Sequence, residues 1–151
     1  MILKGTMMKQ FNAVILILFL MMFIFVTHAI GSSDWIVNYT DKNGDVLLYK
    51  IENRTNPIVQ VWAKRVFSDE GGEEFIQDSR NNGLNTTGWN KLGHLTSLCE
   101  VDCLKRKDRV LSVVIFAADG KVVYSGSFGK PGWDDIVPDS IGDSFRKKVC
   151  E

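Results

Sequence analysis

Residues 102–129 read DCLKRKDRVLSVVIFAADGKVVYSGSFG, with two apolar runs on either side of the dipeptide Asp119-Gly120. Asp-Gly is typical of a tight hairpin turn, because both residues tolerate positive φ angles. The first run, Val110–Phe116, is apolar at almost every position, as in an interior strand that is covered on both faces. This stretch therefore predicts two antiparallel neighbours, with the first strand near the middle of a sheet.

The segments upstream of this hairpin show the same pattern of short β-branched and aromatic runs between turn signals. Asn43-Gly44 marks a second tight turn, and Pro57 directly precedes another run. The predicted strands are Trp35–Thr40, Asp45–Glu52, Ile58–Phe67, Leu95–Leu104, Arg109–Ala118 and Lys121–Ser127.

The periodicity changes near the end of the chain. Within Ser140–Val149 the apolar residues Ile141, Phe145 and Val149 recur every four positions, and Ser140 is suited to cap a helix. Basic residues in the last turn offset the helix dipole. The sequence thus predicts an α+β fold, in which an antiparallel sheet of about six strands carries a C-terminal helix on one face.

Three cysteines bear on how that helix is held. Cys99 and Cys103 lie four positions apart on one predicted strand, roughly 13 Å from each other, so they cannot bridge while the strand is intact. Either one can pair with Cys150, and the position of Cys103 beside a turn favours Cys103. Cys99 is then a free thiol, interpreted as a small buried apolar residue. In an ideal helix Cys150 points about 100° from Val149, so we expect the helix to end or fray there.

The first 29 residues have the pattern of a targeting segment. Lys4 and Lys9 precede the apolar run Ala13–Val26, which ends before the small residue Ala29. The run is shorter than the roughly 20 residues that cross a bilayer, which favours a signal peptide cleaved after Ala29 over the alternative of an uncleaved N-terminal anchor. Residues 30–151 are then predicted to form a single domain.

Charge and composition exclude several functions for that domain. The chain has 18 basic and 18 acidic residues, and the leader takes two of the basic ones, which leaves a formal charge of −2. This balance argues against a nucleic-acid partner. The basic cluster at 105–109 contains Asp108 and is interpreted as a solvated turn. His94 is the only histidine beyond the leader, so no metal, cofactor or imidazole-based catalytic site is predicted.

Two polar segments are the remaining candidates for function. Ser68–Lys91 is long for a connection in a compact domain and contains a possible short helix at Glu73–Arg80. Residues 126–133 carry aromatic side chains, which either anchor a partner or cover the sheet edge and the underside of the helix. The candidate partner-binding residues are Trp89, Phe128, Lys130 and Trp133.

Several motifs together resemble one known family. They are Asp102-Cys103 before a basic turn, the strand sequence VVYSG at 122–126, and VPDSIGDSFRKKVC at 137–150, with Asp34-Trp35 and Val61-Trp62 upstream. On these residues most of the chain beyond the leader is similar to the surface-adhesin protein E family of exported Gram-negative bacterial proteins. The resemblance implies a small antiparallel sheet whose C-terminal helix is tethered by a disulfide, here between Cys103 and Cys150.

The resemblance also implies a function in binding. The founding adhesin of the family is an outer-membrane lipoprotein that binds host matrix proteins, although this chain has no lipidation cysteine after its leader. We therefore expect an exported, non-catalytic module in the periplasm, at the cell surface or secreted, with an envelope or host matrix protein as partner. It would meet a membrane only through an uncleaved leader. The alternative is a small exported hydrolase that uses Asp134 and Asp135, for which a concave pocket with convergent acids is required.

Overall fold

The computed structural model describes residues 34–151, of which Trp35–Glu151 form one unit. The predicted signal peptide, residues 1–29, and its cleavage site lie outside the described residues and stay predictions. Within the described part, neither helix is long and apolar enough to cross a lipid bilayer.

Seven strands and two helices make up residues 34–151. In chain order they are β1 (Ile36–Thr40), β2 (Val46–Thr55), β3 (Ile58–Val66), α1 (Asp69–Asn81), β4 (Leu92–Asp102), β5 (Lys107–Ala117), β6 (Val122–Ser127), β7 (Asp134–Asp135) and α2 (Ile141–Cys150). The six predicted strands and the C-terminal helix are all present, with ends shifted by a few residues. The short helix expected at Glu73–Arg80 is longer in the structure, where α1 begins at Asp69 and ends at Asn81.

The strands form one antiparallel sheet in the order β1-β2-β3-β4-β5-β6, and β7 pairs with β5 beyond the end of β6. This sequential order follows from short turns, except between β3 and β4, where the connection contains α1. Gly44 and Gly120 occupy positive φ angles of 87° and 85° in the two turns that Asn-Gly and Asp-Gly predicted. β5 lies between β4 and β6, which confirms its interior position.

Both helices pack on the same face of the sheet. Along β3, Val59 and Val61 are buried under the helices, while the alternating Gln60 and Trp62 are only half-buried. The expectation that β5 is covered on both faces is therefore wrong, because Val114 and Phe116, on the face opposite the helices, are only half-buried. With both helices on one side, the apolar residues that β5 directs to the other side lack a covering layer from the described elements.

One core lies beneath α2. Val149 is fully buried against the sheet, and the ring of Phe145 meets the ring of Tyr49 edge to face at 5.7 Å. Val61 and Val101 complete the floor of this core. The four-residue spacing of the apolar residues in α2 thus packs the helix on the sheet as predicted.

A disulfide joins Cys103 to Cys150 with their Cα atoms 5.8 Å apart, which confirms the expected pairing. The helix ends at Cys150, as expected, and does not fray before that residue. The reason is that β4 ends at Asp102, so Cys103 lies just past the strand rather than under the helix. Cys99 is a buried free thiol.

A buried carboxylate holds the start of α2. Asp143 is 2% exposed and forms ion pairs with Arg106 at 3.0 Å, Arg146 at 3.1 Å and Lys147 at 3.0 Å. Its backbone N–H donates to the capping hydroxyl of Ser140. Since Arg106 belongs to the β4–β5 turn, the carboxylate connects the helix to the sheet at the same end as the disulfide.

This carboxylate predicts a pH-dependent stability. Hydrogen bonds led by Lys147 hold the pKa of Asp143 at about 2, below the ordinary 3.8. Because the folded pKa is depressed, the stabilisation is complete above the unfolded pKa and is lost as pH falls from about 4 through about 2. We expect Asp143→Asn to be less stable than the wild type near neutral pH, and the difference to shrink over that acid range in urea unfolding.

Asp139→Asn is the matched control for this measurement. Asp139 is an exposed carboxylate near the same helix end, and asparagine tolerates its φ of 60°. Its effect should be small at every pH. A stability difference for Asp143→Asn that stays constant down to about pH 2 would argue against the assigned role of the charge.

A second buried carboxylate holds the start of α1. Asp45 is fully buried and accepts hydrogen bonds from the backbone N–H and the hydroxyl of Ser68, both at 2.8 Å, and from Arg65. Burial alone would raise the pKa of Asp45, but these hydrogen bonds outweigh it and the pKa is lowered. Ser68 in turn caps α1 by accepting from the N–H of Gly71. The first hairpin and the first helix are therefore joined through one carboxylate.

Candidate partner-binding surface

The sequence candidate Trp89 is a core residue in the structure. Its side chain is 6% exposed and meets Tyr124 edge to face at 6.2 Å, in a second core that includes Phe67, Leu92 and Ile115. The polar segment between α1 and β4 thus packs the Trp89 ring into this core, directly before β4 begins. The expectation of a partner contact at Trp89 is corrected accordingly.

The other three candidates follow β6. Phe128 is 48% exposed, Lys130 is exposed, and Trp133 is half-buried. The ring of Trp133 covers the guanidinium of Arg109 on β5, with 4.3 Å between the ring centroid and Cζ. Partner binding at these residues stays a prediction, and the contact with Arg109 gives Trp133 a fixed position.

Arg109 is the end of a polar chain across three strands. Gln60 on β3, Glu100 on β4 and Arg109 on β5 are register neighbours. Arg109 donates to Glu100 Oε2 from Nε at 2.8 Å, and Gln60 donates to Glu100 Oε1 at 3.1 Å. Each of these long side chains is therefore held in one conformation, and Trp133 packs on a fixed cation.

This chain of contacts lies on the sheet face opposite the two helices, which we call the open face. Trp62 is near its centre, paired across strands with Lys50 on β2 and Leu98 on β4. Among residues 34–151 no helix packs there, so its apolar side chains are half-buried by their neighbours alone. The apolar members on the central strands are Leu48, Trp62, Leu98, Val114 and Phe116.

Charge on the open face is mostly basic. Lys64 lies 5.6 Å from the ring centroid of Trp35, and Lys50 is the register neighbour of Trp62. His94 stacks on Phe116 at 4.4 Å, and burial together with the charge of Lys64 lowers the pKa of His94, so the imidazole is neutral at pH 7. The negative charge of the face at Glu100 is already paired.

The open face also contains a polar concavity of about 250 Å³ beside the Gln60–Glu100–Arg109 chain. Asn53, Thr55 and Ile58 form its other wall. Aromatic surface, fixed hydrogen-bonding groups and a shallow depression are the elements of a binding surface for a protein.

The acids of the hydrolase alternative are exposed at the sheet edge. Asp134 and Asp135 form the edge strand β7 and are exposed, and Asp135 pairs with Lys107 at 2.9 Å. Burial and the charge of Asp134 raise the pKa of the neighbouring Asp108. In the described part of the chain, no group of three or more His, Cys, Asp or Glu side chains is arranged to hold a metal ion.

The sequence candidates missed Trp62, Gln60 and Glu100. The alternation of the predicted strands does put Gln60 and Trp62 on one face of β3. What alternation lacks is the cross-strand register, which brings Glu100 and Arg109 beside Gln60. Glu100 lies 40 residues from Gln60 in the chain, so the sequence around Glu100 does not indicate this partner.

Comparison with known protein families gives a match. Residues 50–151, about two thirds of the chain, match the model of the family described as surface-adhesin protein E. The match extends from β2 through α2 and includes both disulfide cysteines. Searches of curated proteins and of solved structures gave no match. The chain belongs to the surface-adhesin protein E family.

Proposed function

We propose that this protein is an exported, non-catalytic binding module that holds a protein partner on the open face, in the periplasm, at the cell surface or after secretion. Family membership supports an adhesin-like function and an exported or cell-surface location. The observation that carries the proposal is Trp133 packed on Arg109, at 4.3 Å, on the face that the helices leave uncovered.

Tryptophan and arginine dominate the energetics of protein interfaces, where few residues carry most of the binding free energy. When such side chains become ordered on binding, the loss of their conformational entropy weakens the affinity. Here Glu100 already fixes Arg109, and Arg109 fixes Trp133, so most of that freedom is lost on folding. A partner therefore meets an anchor that is already ordered.

The chemistry of the partner follows from the rest of the face. Trp62 and Leu98 offer an apolar centre, while Lys50 and Lys64 lie toward the β1 side. Complementary charge speeds association and fixes orientation. The partner surface should thus have an apolar centre and an acidic rim, and an envelope protein or a host matrix protein would both qualify.

Photo-crosslinking in the producing cells tests the surface itself. A photoreactive phenylalanine derivative at Thr96, half-buried on the open face, should give a protein adduct. The same derivative at Leu104, 78% exposed in the β4–β5 turn, is the control and should not. Adducts from the turn position alone would contradict the proposal.

The energetic test uses the partner identified in that way. Trp133→Ala should raise the Kd by on the order of 30-fold, since hot-spot truncations cost about 2 kcal/mol or more. Leu104→Ala removes an apolar side chain of 78% exposure in the β4–β5 turn, outside the open face, and should change the Kd little. Binding is measured by calorimetry on variants whose thermal unfolding is recorded in parallel. Equal losses from both variants would show that the Trp133 contact has no special role.

A further inference from the structure

The helix-covered face contains an apolar groove of about 340 Å³ between α1 and α2, which we call the inter-helix groove. α2 packs over the β2–β4 part of the sheet, and α1 packs nearer the start of β4, so that neither covers the strip between them. The floor and walls are lined by Leu47, Ala63, Leu95, Ser97, Phe75 and Phe145.

Small side chains keep this groove empty. Ala63 and Ser97 are direct cross-strand partners in the middle of the floor, and Gly142 lies above them on the first turn of α2. The next pair along the same two strands, Val61 and Cys99, belongs to the well-filled core beneath α2. The groove is therefore a property of particular residues rather than of the spacing of the helices.

One residue that lines the same groove contains a buried polar atom without a partner. Asn38 is the extra residue of a bulge in β1, and its Oδ1 is buried with no hydrogen bond, the one side-chain atom of that kind within residues 34–151. Buried amide oxygens nearly always accept a hydrogen bond, because leaving them unpaired is unfavourable. A donor that enters the groove, with a turn of the amide toward it, would meet this requirement.

We propose that the inter-helix groove binds an apolar small molecule with one hydrogen-bond donor, whose body lies between Phe75 and Phe145 and whose N–H or O–H donates to Asn38 Oδ1. The volume is in the range of small-molecule sites, which are mostly apolar with a few placed polar groups. An anionic head is disfavoured, because Asn38 presents an acceptor, Arg65 is paired with Asp45 and Asp41, and Lys148 already donates to the backbone carbonyl of Asn38 at 2.7 Å.

This site is independent of the proposed partner surface, because Ala63 and Ser97 lie on the opposite side of the sheet from Trp62 and Thr96. Variants of one face therefore leave the other unchanged, and the two proposals can fail separately.

The probe for the test is N-phenyl-1-naphthylamine, an apolar molecule with one N–H whose fluorescence rises in apolar surroundings. We expect saturable binding to the wild type and at least about a tenfold weaker affinity in Ala63→Phe, which fills the groove. Thr96→Phe adds the same ring to the open face and should bind as the wild type does. Fluorescence that persists in Ala63→Phe would overturn the proposal.

Asn38→Leu removes the proposed acceptor without filling the groove. The wild type should prefer N-phenyl-1-naphthylamine over 1-phenylnaphthalene, which lacks the N–H, by at least about fivefold, and the variant should lose that preference. Equal affinities for the two probes in the wild type would overturn the assignment of Asn38. Sedimentation completes the test, since a dimer that Ala63→Phe dissociates would assign the groove to a second copy instead.

Discussion

Gly71→Ala is expected to lower the free energy of unfolding by about 3 kcal/mol, the scale of an overpacked core that also displaces a buried charge. A Cβ atom at position 71 would lie 2.0 Å from Asp45 Oδ1 and 2.4 Å from its Cγ. Neither side can give way easily. Asp45 is fixed by Ser68 and Arg65, and residue 71 is fixed by its own hydrogen bond to the cap.

Gly72→Ala provides a control one residue along the same helix. There the added Cβ would meet Phe67 at 3.6 Å and Leu92 at 3.8 Å, which are ordinary contacts. Replacing a helical glycine by alanine should then stabilise the protein by about 0.5–1 kcal/mol, because the unfolded chain loses freedom. Urea unfolding should thus move in opposite directions for the two adjacent glycines. Parallel shifts would mean that Asp45 does not determine the requirement at Gly71.

Replacing both Cys103 and Cys150 by alanine is expected to cost about 4 kcal/mol. The disulfide spans 47 residues, and closing a loop of that length restricts the unfolded chain by this amount in the chain-entropy model. The loss should fall on α2 in particular, since Val149 is buried and its carbonyl accepts from Arg54 at 2.8 Å. Hydrogen exchange should then show the amides of α2 opening before those of β3.

Cys99→Ala is the control for the loss of a sulfur atom alone. Cys99 is 8% exposed and contacts the hydroxyl of Ser97, so its removal should cost on the order of 1 kcal/mol. Burial raises the pKa of the Cys99 thiol, so the native protein should alkylate slowly. Mass spectrometry should find one modified cysteine per chain after unfolding without reductant. Three modified cysteines in that sample would rule out the disulfide.

Strand positions were predictable because the signals were local. Asn43-Gly44 and Asp119-Gly120 fix two turns by their own backbone preferences, and Ser140 fixes the start of α2. The chain order of the sheet follows, since each connection is short except the one that contains α1. The disulfide was predictable for a related reason, as only two partners for Cys150 were available.

The features that were missed depend on distant residues. Glycines at positions 71 and 72 are weak helix formers, so the sequence does not indicate the first turn of α1. Ser68 and Asp45 stabilise that turn. The polar neighbours of Trp89 predict a surface residue, whereas its burial depends on Tyr124 on β6. Whether β5 is covered depends on which face of the sheet the two helices pack against, and the sequence of one strand does not indicate that face.

The sequential strand order has a consequence for the order of assembly. Every pairing of β1 to β6 joins neighbours in the chain, so the hairpins close without waiting for remote segments. Cys150, in contrast, is synthesised 47 residues after its partner Cys103. During that interval the nearer thiol for Cys103 to meet is Cys99, but the pairing of β4 with β3 extends the chain by roughly 10 Å from Cys99 to Asp102 and so keeps the two sulfur atoms apart. Regular strand geometry thereby protects the chain from the wrong crosslink.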